Sequence, residues 1–338
     1  MYNRLLLHTL MLSTVLFSTA PLAADADLLI DVTEWKVPWQ GRPRDPFVDS
    51  NGKVWFCGQA GNYIASLVPE TGEFRQYSVP EGTHPHNLIV DANNKIWYAG
   101  NKNAHIGMLD PGSGAIRKFP MPEGIHDPHT LVFDKNGDIW FTAQHSNVIA
   151  HLSITTGKVS KVQTPTPHSR PYGIKMDGHG SPWAVLVGSN KLAVVNPDSL
   201  QITEVELPRN DARPRRLEIS DDNTIWYVDY AEGYLGQYDP NTDAFQEWPM
   251  PSGRKSLPYG TALDSDERIW IALTGNSPNT LVGFDTRSKK FLDSSVAASG
   301  GNIRHMYFDK PGNAFWFGAD SGYIGRALIK KPAADGAN

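Results

Sequence analysis

His84 to Gly100 reads HPHNLIVDANNKIWYAG, and 43 residues further on Asp127 to Ala143 reads DPHTLVFDKNGDIWFTA. Each stretch is an apolar run closed by an aspartate, a short turn rich in Asx or Gly, and a second apolar run centred on tryptophan. That is the pattern of two strands joined by a tight hairpin. The same setting surrounds seven of the ten tryptophans: Trp55, Trp97, Trp140, Trp183, Trp226, Trp270 and Trp316. Their successive spacings are 42, 43, 43, 43, 44 and 46 residues, the period of a four-stranded propeller blade. The sequence therefore predicts an all-β, seven-bladed β-propeller with four antiparallel strands per blade. The tryptophans are read as packing between blades.

Working outward, each repeat carries two further strands. In the second, Ile106 to Leu109 is followed by an Asp110-Pro111-Gly112 turn and the run Ile116 to Met121. The last repeat stops after Tyr323 to Ile329 and lacks its outer strand. Val32 to Pro38 has the outer-strand pattern of Phe74 to Pro80, so the N-terminal strand is expected to complete blade seven and close the ring. The propeller is placed at residues 28–330, with a C-terminal tail at 331–338.

Residues 1–24 read as a signal peptide. Arg4 precedes a mostly apolar stretch, Leu5 to Phe17, and small residues allow cleavage after Ala24 or Ala26. The stretch is short for a membrane span, so the protein is expected to be periplasmic or secreted, with no stable membrane insertion. Cys57 is the single cysteine, which excludes an intrachain disulfide. The formal charge of -5 argues against a nucleic-acid partner. A monomer acting on a small molecule is expected.

Counting back five residues from the aspartate (or Ser220) that closes each inner strand gives one position per blade: Arg44, His86, His129, Tyr172, Arg215, Tyr259 and Arg304. Their neighbours add Asp45, Asn87, Thr130, Arg216 and His305. A dry strand would carry aliphatics here, so these residues are expected to converge on a solvated axial mouth. The arginines suit a polar or anionic ligand group. His84, His86, His126, His129 and His145 fall at the same face of blades two and three, with Asp127 and Gln144. Such a set can supply a base, or bind a hard cation, zinc or copper.

At these residues the chain resembles the streptogramin lyases, the virginiamycin B lyase family of seven-bladed propellers. The resemblance runs from about residue 30 to 330 and rests on His84-Pro85-His86, Asp127-Pro128-His129, Arg170-Pro171-Tyr172-Gly173, Leu257-Pro258-Tyr259-Gly260 and Trp140-Phe141-Thr142. It implies a magnesium-assisted lyase that opens a cyclic depsipeptide at its ester by elimination. By the family pattern His129 would be the base, His86 a catalytic substrate contact, and Asp127 a metal ligand. Gln144 stands where the family has a glutamate ligand. The family's histidine pair lies in the last two blades, where this chain has Tyr259 and Arg304. Arg44, Tyr172, Arg215, Tyr259, Arg304 and His305 are expected to bind substrate. Two other readings stand beside this one: a non-catalytic propeller for ligand sensing or protein binding, and a histidine-based metal-binding protein.

Overall fold

The computed structural model describes residues 30–330. The expected signal peptide and C-terminal tail lie outside them. The described chain forms seven four-stranded antiparallel sheets. Their innermost strands are Pro43–Val48, Pro85–Val90, Pro128–Phe133, Pro171–Met176, Pro214–Ile219, Pro258–Leu263 and Ile303–Asp309, in blades one to seven. Each is the strand that the tryptophan period assigned to the blade's inner edge. Ile30–Lys36 pairs along its whole length with Tyr323–Ile329, from Ile30 opposite Ile329 to Lys36 opposite Tyr323, and completes blade seven as expected.

The aspartate that ends an inner strand does two jobs. Asp49 Oδ1 accepts the backbone N–H groups of Asn51 and Lys53, which fixes the hairpin, and Asp49 Oδ2 accepts Trp55 Nε1–H at 2.8 Å. The arrangement repeats at Asp91–Trp97, Asp177–Trp183 and Asp264–Trp270, with Ser220 in that place for Trp226. The indole donor is thus satisfied at the turn while the ring enters the core.

There is no single central core. Seven hydrophobic clusters lie one at each blade–blade interface, from Trp55 against Tyr98 between blades one and two round to Trp316 against Phe56 between seven and one. Apolar burial at about 25 cal/mol per Å² therefore acts sideways around the ring. The axis is left to whatever the inner strands present.

Candidate functional site

In all seven blades the pairing of the inner strand with its neighbour slips one residue near its start, for example between Pro85 and Leu88 or between Pro128 and Leu131. A regular strand sends successive side chains to opposite faces. The bulge breaks that alternation and lets two consecutive residues face the axis. The channel therefore holds two stacked layers. Arg44, His86, His129, Tyr172, Arg215, Tyr259 and Arg304 form the upper one, at the face where inner strands begin. Asp45, Asn87, Thr130, Gly173, Arg216, Gly260 and His305 form the lower one.

The seven sequence-derived residues do converge, but they fill the upper layer instead of lining an open mouth. The His86 and His129 rings lie 3.8 Å apart, His129 and Tyr172 4.2 Å apart, and the Tyr172 and Tyr259 hydroxyls are hydrogen-bonded to each other. Arg44, His86, His129, Tyr172 and Tyr259 are all buried. The physical reason is volume: two imidazoles, two phenols and three guanidiniums meeting on one axis leave no gap. Arg215 and Arg304 are only partly buried, so the accessible side of the layer lies over blades five to seven.

Burial, followed by the nearby Arg44 and Arg216 charges, holds both His86 and His129 well below the usual imidazole range, so each is neutral at pH 7. His129 Nδ1 is bonded to Thr130 Oγ1 at 2.8 Å, while His129 Nε2 and His86 Nδ1 have no partner. The tyrosines are driven apart. Burial would raise both; for Tyr259 the Arg215, Arg216 and Arg44 charges and the Tyr172 hydrogen bond outweigh it, and its pKa falls below the ordinary value. Tyr172 is pushed up to about 12. Arg215 Nη1 also donates to Tyr259 Oη at 3.3 Å. Arg304 is held by Asp320 at 2.6 Å, and its guanidinium lies 5.6 Å from the Tyr259 ring centre.

One residue deeper most of the side chains are smaller, two of them glycines, and the channel opens into a cavity of about 400 Å³. Asn87, Thr130, Arg216 and His305 form its polar end, and inner-strand residues such as Leu88, Leu131 and Met306 its walls. His305, expected at the mouth, belongs to this lower cavity; burial pushes its pKa down to about 3. Gly173 makes room here, because a Cβ at that position would stand 2.9 Å from the Arg215 carbonyl and 3.2 Å from Arg216 Cα.

The first expected metal ligand, Asp127, is engaged in its own blade. Asp127 Oδ1 accepts Ser146 N–H and Oγ–H, and Asp127 Oδ2 accepts His145 N–H, so the carboxylate clamps the Ala143–Asn147 turn. Gln144 sits half-buried in that turn. His126 and His145 are exposed beside it, and His84 is half-buried in blade two; of the five histidines only His86 and His129 stack together. Among the described residues, a three-ligand cluster able to chelate a divalent cation forms at Asp134, Asp138 and His151. It lies at the opposite end of blade three's inner strand, away from the upper layer.

Sequence reading missed Tyr230, whose ring lies 4.1 Å from the Arg215 guanidinium and edge-on to Tyr259. It also missed Asp229, whose Oδ1 accepts three backbone N–H groups, from Arg213, Ala231 and Glu232. Both follow a tryptophan strand at its upper end, the one local signal that could have marked them.

The profile of the virginiamycin B lyase family matches residues 25–280. Among solved structures, virginiamycin B lyase from Staphylococcus aureus superposes with a TM-score of 0.81 at 20% identity, covering 89% of this chain and 100% of that one. A streptogramin B lyase gives 0.79 at 22% identity, covering 89% and 98%. The extracellular domain of a proposed one-component system from B. thetaiotaomicron gives 0.66 at 15% identity, covering 91% of this chain and 43% of that one. At these identities the superpositions show the fold. No curated protein matches the chain.

Proposed function

The chain belongs to the virginiamycin B lyase family, and from that premise we propose that it is an exported lyase that opens an ester or lactone by elimination at the upper layer of the channel. The observation that carries the reading is Tyr259. Its phenol oxygen takes a hydrogen bond from Arg215 and is hydrogen-bonded to Tyr172, with Arg304 alongside, so it lies buried directly beneath the two partly exposed arginines. The neighbouring guanidinium charges favour its phenolate, the form in which it would accept a proton, and are also ready for developing negative charge.

In the proposed step the base takes the proton from the carbon α to a carbonyl. The freed electron pair forms the Cα=Cβ double bond, the Cβ–O bond breaks, and a carboxylate leaves without water entering. Arg215 and Arg304 hold the carbonyl oxygen as it gains charge. His86 and His129, neutral and unpartnered at one nitrogen each, lie in the same layer. The magnesium ion expected from the resemblance finds no free carboxylate beside these residues, because the Asp127 oxygens serve the turn; no step is assigned to it. The apolar leader supports export to the periplasm or beyond. Among the described residues no helix is long and apolar enough to cross a membrane.

Incubation with cyclic depsipeptides and with O-acylated β-hydroxyacyl probes, followed by mass spectrometry, tests the reading. Elimination leaves the summed product mass unchanged, whereas hydrolysis adds a water. Tyr259→Phe is expected to lower turnover by about 10²-fold or more, and His129→Asn identifies the histidine's share. Absence of any turnover across the panel sinks the proposal. It would favour a second reading, a ligand-sensing propeller, which the closure of the upper layer over His86 and His129 supports.

A further inference from the structure

The lower cavity is separate from the chemistry proposed above. That chemistry is placed at the upper layer, and His86, His129, Tyr172 and Tyr259 do not line the cavity. Phe133, Lys175, Leu263 and Phe308 stand at the far ends of the inner strands, line the cavity and are all partly exposed, so it opens on the lower face. Its volume of about 400 Å³ falls within the range of about 300–1,000 Å³ typical of small-molecule pockets.

Charge at its closed end does not cancel. Asp45 Oδ1 accepts Arg44 Nε–H at 2.9 Å, and Asp45 Oδ2 lies 3.7 Å from Arg216 Nη2, so one carboxylate serves two guanidiniums. Lys175 and Glu218 form a separate pair at 2.8 Å, which Thr261 joins by donating to Glu218. His305 is neutral. One positive charge is left over, and it sits on Arg216, which is buried. Arg216 Nε donates to the Arg304 carbonyl and Nη1 to Thr130 Oγ1, but Nη2 has no hydrogen-bond partner, and neither does His305 Nδ1. A buried donor without a partner is costly, and more so when it is charged.

Beyond the polar end the lining is mixed: Leu88, Leu131, Ile174, Leu217 and Met306 offer an apolar wall, and Thr261 with the Lys175–Glu218 pair lies among them. A single surplus charge also suits a monoanion better than a phosphate dianion.

We propose that the lower cavity binds a small amphipathic monocarboxylate, with its carboxylate at the polar end that Asn87, Thr130, Arg216 and His305 form and its apolar body along the inner-strand walls. The surplus Arg216 charge attracts the carboxylate, and the Asn87 and Thr130 side chains supply polar groups at the same end. Entry is from the lower face, past Leu263 and Phe308.

Isothermal titration with octanoate, octanol and octylamine tests this on the whole protein. Octanoate is expected to saturate one site, octanol to bind at least tenfold more weakly, and octylamine not to bind. Arg216→Gln should bring octanoate down to the octanol level. Leu263→Trp, which blocks the opening, should abolish octanoate binding while depsipeptide turnover stays at the wild-type level. Equal binding of octanoate and octanol, no saturable octanoate binding, or full affinity in either variant overturns the proposal. The wild-type comparison decides the matter by itself if Arg216→Gln fails to fold. Octanoate binding is read without turnover, so its failure and a failure of the lyase reading are distinguishable.

Discussion

Two adjacent residues on the same seven strands build unlike regions of one channel. In the upper layer, large aromatic and cationic side chains meet at ring separations near 4 Å and shut the axis. In the lower layer, Asn87, Thr130, Gly173 and Gly260 give way, and a cavity of about 400 Å³ remains with one unneutralised guanidinium at its end. The backbone is the same in both, including the bulge that aims both residues inward. Side-chain volume alone decides which half is a plug and which a pocket.

The contrast breaks most severely at Asp45, which ties the layers together. Asp45→Asn leaves Arg44 and Arg216 buried with a neutral partner. Unfolding in urea should show a loss of about 3–5 kcal/mol, and a loss below 1 kcal/mol would mean that the layers do not share this charge. A second test is acidity. His86, His129 and His305 have folded pKa values below the unfolded value of 6.5, so the unfolded state binds more protons as pH falls below 6.5. Stability is therefore unaffected above that pH and declines below it, by up to about 1.4 kcal/mol per pH unit for each histidine. For His305 the decline runs down to about pH 3. Melting temperatures between pH 8 and 5 should show it, and His129→Leu should flatten the curve.

Smaller effects sharpen the comparison. Gly173→Ala places a Cβ 2.9 Å from the Arg215 carbonyl, with a cost of about 1–3 kcal/mol in denaturant midpoints. Leu263→Phe adds its volume to open cavity and should change stability by less than about 1 kcal/mol. If Leu263→Phe proved as costly as Gly173→Ala, the lower half would be as tightly packed as the upper.

Much of this was legible before any coordinates. The tryptophan period fixed blade number and strand order, and the pairing of Ile30–Lys36 with Tyr323–Ile329 followed from a missing outer strand. Counting back from the turn aspartate found every residue of the upper layer. What could not be read was how those seven share space, because that depends on side chains brought together from blades far apart in sequence. Strict alternation would have sent His86 and Asn87 to opposite faces; only the register slip puts both on the axis. Asp127 was legible as a carboxylate at the right end of its strand. Its use as a turn clamp depends on the Ser146 hydroxyl and two backbone amides that no motif announces. The cavity was invisible for the same reason, being made of what the lower layer lacks.

The seventh sheet takes one strand from the start of the chain and three from its end. The first of the described strands to leave the ribosome thus waits, unpaired, for the last hairpin before it has a partner. Until then two of the seven wedge-like contacts flank an unfinished sheet, and removing Ile30–Lys36 or Tyr323–Ile329 damages one and the same blade. Joining the ends by a linker and cutting at another interblade loop should spare that dependence, since a circle has no preferred beginning.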